Sequence, residues 1–334
     1  MFKAYTEFQK LKKVMVGRAL PSELVTRSIV GNKLTPTTKR LLTYLLDETE
    51  EDYQNLINIC QKFGSEVVRP QYTDKDYMLH YLMNPRDEMI VLDRFLILTI
   101  GGGNFTKPLS EDVNHIKRSK SLAGLMPPSI VRLGKDIILD DQPDQHSNTK
   151  HSAEALKKWL QPIGYKVHFT QTHNFQFKGR ISHSDSCFSI QKPGVILTSE
   201  DARSYTETFF KGWDAFQVTY PQDKVKNWIR FKDDTKAYLF EDNKYIDPAW
   251  NKLLTTWLSD WVGYAKETLF DVNVLSLDEN HVIVSNYNKE VFNFFKKHKI
   301  EPIISPWRHR YFWDGGIHCI TCDLEREGNC EQYL

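Results

Sequence analysis

Four stretches of the chain carry the same local signal, and together they limit what it can fold into. MIVLDRFLILT (89–99) is two apolar runs around Asp93-Arg94, and SIVRLGKDIILD (129–140) has the same shape around Gly134-Lys135. FSIQKPGVILTS (188–199) turns at Lys192-Pro193-Gly194, and VLSLDENHVIVSN (274–286) turns at Asp278-Glu279-Asn280. Apolar runs of four to eight residues, rich in β-branched side chains and broken by turn formers, read as β-hairpins. After three of the hairpins comes a stretch with helical spacing, at 149–161, 200–211 and 288–298. Ser199 and Asn286 are positioned to cap the latter two helices. A further strand follows each helix: YKVHFT (165–170), AFQVTY (215–220) and IEPIIS (300–305). The unit after 89–99 is blurred near 105–125.

A fifth unit is split between the chain ends. KKVMVG (12–17), a helix within 36–63 and SEVVRP (65–70) lack a hairpin of their own. The strand HCITCDLE (318–325) can pair with 12–17 and supply the missing partner. Repeated units bury their faces against their neighbours, and ring closure removes exposed sheet edges. The pattern therefore predicts an α/β propeller of about five ββαβ-type units, against the alternative of an open α+β domain. It is read as a single domain spanning 1–334 with an insertion within 203–266. That insertion holds five of the eight tryptophans, Trp213, Trp228, Trp250, Trp257 and Trp261. Residues 248–269 read as a helix begun by Pro248, packed outside the ring, covering the cavity or forming a dimer contact.

Composition narrows the class. In 334 residues, 44 Lys and Arg offset 43 Asp and Glu, so no global charge excess attracts nucleic acid. No apolar run is long enough to span a bilayer, and the N-terminus lacks the apolar core of a signal peptide. The expectation is a soluble, cytoplasmic protein. Five cysteines, an odd number in a long chain, fit reduced thiols.

The chemistry concentrates at 313–334, which holds His318, Cys319, Cys322 and Cys330. Three mechanisms compete there with inert burial. Cys319-Ile320-Thr321-Cys322 is a CxxC, although β-type residues run through it where a redox pair needs a helix start. His318, Cys319, Cys322 and Cys330 would make a zinc set with only one visible knuckle. Cys319 alone, with Gly315 and Gly316 letting backbone approach a substrate, suits a covalent nucleophile. Its candidate partner is His183-Ser184-Asp185, where a strand would place His183 and Asp185 on one face. Asp87, in Asn84-Pro85-Arg86-Asp87, stands at a similar place in its own unit. Paired carboxylates suit a planar guanidinium.

GGIHCITCDLEREGNCEQYL (315–334) resembles the C-terminus of the L-arginine:glycine amidinotransferase family. LKKVMVGRA (11–19), NPRD (84–87), VRLGKDII (131–138), ISHSDSCFSIQKPGVILTSED (181–201) and NVLSLDENHVIV (273–284) resemble further segments of that family, in the same order. The resemblance implies the pentein fold, a pseudo-fivefold α/β propeller closed by the N- and C-terminal strands. It implies Cys319 as nucleophile, His183 as general acid/base, and Asp87 and Asp185 as the acids that hold the guanidinium. Substrate contacts are expected from Gly316, and from Arg203 after a one-residue shift. The acid that orients the catalytic histidine in the family falls at Met126 here, and Ser129 replaces a second aspartate.

The implied reaction moves an amidino group from L-arginine to an amine acceptor through an amidino-cysteine, releasing ornithine. No metal or organic cofactor is required. The partners are small molecules, and a homodimer is compatible with the resemblance. The competing readings are a guanidino-group hydrolase and a catalytically altered pentein binding protein.

Overall fold

A computed structural model describes residues 2–27, 34–73, 82–99, 103–109, 115–117, 119–140, 149–170, 183–199, 209–218, 271–313 and 315–334. Arg203, the capping role of Ser199 toward 200–211, the helix expected at 248–269 and four of the five insertion tryptophans lie outside the described residues. Trp213 is described; it packs against Phe210 just before a strand.

Fifteen strands form five three-stranded sheets among the described residues. β3 (Met89–Leu92), β4 (Phe95–Leu98) and β5 (Ile116–Lys117) make one. β6 (Ile130–Leu133), β7 (Asp136–Asp140) and β8 (Lys166–Thr170) make the next. β9 (Phe188–Lys192), β10 (Val195–Ser199) and β11 (Asp214–Val218) follow, then β12 (Leu275–Asp278), β13 (His281–Val284) and β14 (Glu301–Ile304). In each, an antiparallel hairpin carries a third strand parallel to its second.

The fifth sheet joins the chain ends. β1 (Lys10–Val16) runs antiparallel to β15 (Thr321–Glu327) and parallel to β2 (Glu66–Val68). The expected pairing of the termini is therefore present, with one correction. The strand begins at Thr321, so His318 and Cys319 stand in the turn ahead of it. The turn runs over 317–320 and closes through Thr321, whose hydroxyl donates to Ile317 O at 2.9 Å.

Parallel neighbours need a crossover, and helices supply it. Pro36–Lys62 links β1 to β2, Lys150–Leu160 links β7 to β8, and Lys289–Lys297 links β13 to β14. Thr35 and Thr149 cap the first two by accepting from Thr38 N and Ser152 N. The third is capped by Asn288, which accepts from Glu290 N and Val291 N. Asn286, the expected cap, instead accepts from the Ser285 hydroxyl.

Four sheets meet around one buried carboxylate. Asp323 on β15 accepts from Arg86, which precedes β3, from Arg132 on β6, and from Arg326 on β15. Arg86 also donates to Thr321 O and Arg132 to Val91 O, while Arg326 reaches Ser276 O on β12. All four side chains are essentially inaccessible. Burial alone would raise the Asp323 pKa, but the three guanidinium charges hold it well below the carboxylate range. No helix among the described residues is long and apolar enough to cross a membrane.

Candidate active site

At one end of this ionic centre, three turns bring polar side chains together. Each stands immediately before a hairpin. Pro85–Glu88 is a single helical turn led by Asn84 and carries Asp87. Ser184–Cys187 is another, led by His183, and carries Asp185. Asn273 precedes β12 by two residues. His183 and Asp185 thus belong to a helical turn and its cap rather than to a strand with one shared face. The extended run that suggested a strand starts only at Phe188.

Cys319 is the centre of the cluster. Its sulfur lies 3.6 Å from Asp185 Oδ2 and accepts from Asn273 Nδ2 at 3.1 Å. Asn273 Oδ1 in turn accepts from the backbone amides of Cys319 at 3.1 Å and His318 at 2.9 Å. Gly316 makes this possible, because a Cβ there would lie 2.6 Å from Asn273 Oδ1. Gly315 packs against Cys319, with Asn84 Nδ2 beyond. Asn84 Nδ2 reaches Asp87 Oδ2 at 3.5 Å.

The electrostatics follow from this crowding. Cys319 is 5% exposed. Burial, then the charges of Asp185 and Asp87, push its thiol pKa well above the usual range. The charges of both acids expected to hold a guanidinium thus act on the sulfur. Burial also pulls Asp185 upward, but its bond to His318, with the charges of His318, His183 and Arg86, leaves it below the ordinary carboxylate value. His183 therefore lies within electrostatic reach of Asp185. Met126, where the family's orienting acid was sought, leads the turn Pro127–Ser129 ahead of β6.

The four residues weighed as a zinc set face different partners. His318 contacts Asp185 and Glu7, Cys322 donates to Met89 O, and Cys330 lies beside Tyr165. All five cysteines are free thiols. Asn273 and Glu7 are site residues that sequence reasoning missed. The signal for Asn273 was its place, two residues ahead of a hairpin, the same offset that Asp87 has from β3.

No family model matches the chain. It is 28% identical over 206 residues to L-arginine:L-lysine amidinotransferase of Pseudomonas savastanoi pv. phaseolicola, covering 61% of this chain and 44% of that protein. It is 31% identical over 207 residues to the mitochondrial glycine amidinotransferase of Xenopus laevis, covering 61% and 39%. The matched region thus spans less than half the length of these curated relatives. Among solved structures, SxtG, an amidinotransferase from Microseira wollei in the saxitoxin biosynthetic pathway, aligns over 100% of this chain and 99% of its own, with TM-score 0.68 and 17% identity. The inosamine-phosphate amidinotransferase of Streptomyces griseus aligns equally fully at TM-score 0.65 and 18% identity. A dimethylarginine dimethylaminohydrolase from Pseudomonas aeruginosa aligns over 94% of this chain at TM-score 0.59 and 10% identity.

The chain therefore has the mixed α/β fold shared by these amidinotransferases and the dimethylarginine dimethylaminohydrolase. In sequence the chain is similar to amidinotransferases, as the resemblance of its C-terminal run implied.

Proposed function

We propose that this chain transfers the amidino group of an L-arginine-like donor to an amine acceptor through a covalent intermediate on Cys319. The observation that carries the reading is one buried thiol beside the carboxylate of Asp185 and the amide donor of Asn273, and within electrostatic reach of Asp87. A guanidinium carbon is deactivated by resonance, and a thiolate is among the few side chains able to attack it near neutral pH. With the site empty, the two acids oppose the thiolate. A bound guanidinium cation between them reverses that balance, so the nucleophile forms when its substrate is present.

The thiol proton passes to His183 as sulfur bonds to the guanidino carbon. The bond from that carbon to the side-chain nitrogen breaks, and His183 returns the proton to the departing amine of ornithine. An amidino-cysteine remains. The acceptor amine then attacks the same carbon and gives a proton to His183, and the thiol is restored. Asp87 and Asp185 hold the planar cation throughout, and Gly316 keeps the backbone close beneath it. Arg203 is proposed to meet the substrate carboxylate. The five sheets would close as blades of a pseudo-fivefold ring, which the meeting of four of them at Asp323 supports.

The likeness to dimethylarginine dimethylaminohydrolase favours a second reading, in which water completes the reaction. Met126 in place of an acid favours a third, binding without turnover. One experiment separates them. The chain is incubated with arginine labelled at the guanidino carbon. Ornithine released only on addition of an amine supports transfer; citrulline or ammonia from arginine alone supports hydrolysis. Cys319→Ala should abolish covalent capture of label, and retained capture would remove Cys319 from the mechanism.

A further inference from the structure

His318 stands between the reacting sulfur and the buried ionic centre, and the reaction above gives it no part. Its Nδ1 is 2.8 Å from Asp185 Oδ2, and its Nε2 is 3.5 Å from Glu7 Oε2. Glu7 in turn accepts from Arg132 Nε at 2.8 Å and Nη2 at 2.6 Å, and Arg132 donates to Asp323. The backbone of His318 is fixed as well, by Asn273 Oδ1. An imidazole with a carboxylate at each nitrogen is held at both ends, and it fixes the rotamer of the carboxylates it joins.

We propose that His318 is a positioning residue that orients Asp185 beside Cys319 and ties it through Glu7 to the Arg132–Asp323 centre. The inference rests on the amidino-transfer reading, in which Asp185 holds the donor cation. Asp185 Oδ2 is the oxygen shared by His318 and the Cys319 thiol. Without a donor at that oxygen, a buried aspartate is free to turn away and to take up a proton.

The charges around this line come from several elements. Asp185 faces His318 and Cys319 from the turn before β15, His183 from its own cap, and Arg86 from the turn before β3. Cys319 also feels Asp87. Glu7 faces Arg132, His318 and Asp323. Among the influences that lower the Asp185 pKa, the His318 hydrogen bond is the largest. Its removal lets burial dominate, so Asp185 takes a proton at higher pH and the donor site loses its charge from the acid side.

Two substitutions separate the ring nitrogens. In His318→Asn the amide nitrogen lies near the place of Nδ1 and keeps the bond to Asp185. In His318→Gln it lies nearer the place of Nε2 and loses that bond. For ornithine release with a saturating amine, His318→Gln should raise the KM for arginine by about tenfold or more and move the acid limb of kcat/KM to higher pH. His318→Asn should restore KM to within about threefold of the parent. Equal behaviour of the two variants with an unmoved acid limb overturns the proposal.

A second measurement uses the unaltered chain and so survives misfolding of either variant. Nitrogen-15 histidine spectra should show a protonated Nδ1 in His318 at neutral pH, and an unprotonated Nδ1 overturns the proposal. The two failures are distinct. If the parent chain captures no amidino group, the transfer reading falls while the spectra still judge His318. If the parent transfers and the variants match it, the role of His318 falls alone.

Discussion

Asn273 holds Cys319 at both ends: its Oδ1 accepts from the cysteine amide and its Nδ2 donates to the sulfur, each at 3.1 Å. Forty-six residues separate the two in the chain. One side chain thus sets the backbone of the turn and stabilises negative charge on its sulfur.

Asn273→Asp keeps an acceptor for the two amides and replaces the donor to sulfur with a third carboxylate. Alkylation of Cys319 by iodoacetamide at pH 8 should slow by about 10- to 100-fold, the usual worth of a hydrogen bond to a charged group. An unchanged rate would show that Nδ2 does not support the thiolate.

Asp87→Asn should act in opposite directions on two readouts. Removing a negative charge near a thiol lowers its pKa, so alkylation of the empty protein should accelerate. Donor capture should fall, because one of the two acids proposed to hold the cation is gone. If both readouts move the same way, Asp87 does not face both the sulfur and the cation.

Asp323→Asn leaves Arg86, Arg132 and Arg326 buried around a neutral amide. Breaking one member of a buried ion set typically costs about 3–5 kcal/mol, which urea unfolding would measure. The folded pKa of Asp323 is depressed, so its contribution is present above the ordinary carboxylate value. It is lost as pH falls toward the folded pKa, and the variant should be less acid-sensitive than the parent.

His309 should register in stability at mildly acid pH. It is buried against Glu48 at 2.8 Å, and burial pushes its pKa from 6.5 down to about 4. The fold favours the neutral ring, so the unfolded chain takes the proton first as pH falls. Stability from this group is full above about pH 6.5 and lost between there and about 4. Urea midpoints of the parent and His309→Gln should converge over that window. The comparison isolates His309 from Asp52, whose carboxyl burial raises to about 6 and whose slope runs the other way. Midpoints that stay a constant distance apart would assign the histidine no linked proton.

Much of the architecture was legible along the chain because its causes are local. Hairpins declare themselves through β-branched runs and turn residues such as Gly134, whose φ is +63° and whose missing Cβ leaves room for Glu331 O. The crossover helix at 150–160 begins where Thr149 can cap it. Cys319, His183, Asp87 and Asp185 could be singled out as candidates because each stands in a short motif ahead of a hairpin or strand. Local reasoning erred where a shift of one or two residues decides the outcome, as with Asn288 capping in place of Asn286, or Cys319 in a turn in place of a strand.

What the amino-acid order determined by itself was the repeated unit and the pairing of the two chain ends, since these rest on spacing and side-chain type. Tertiary structure alone decided what surrounds the sulfur. Asp185 reaches it across 134 residues, and Glu7 meets His318 from the opposite end of the chain. Such contacts exist only once distant hairpins pack together. Their charges then act through a low-dielectric interior, where burial and neighbours outweigh the intrinsic chemistry of each side chain.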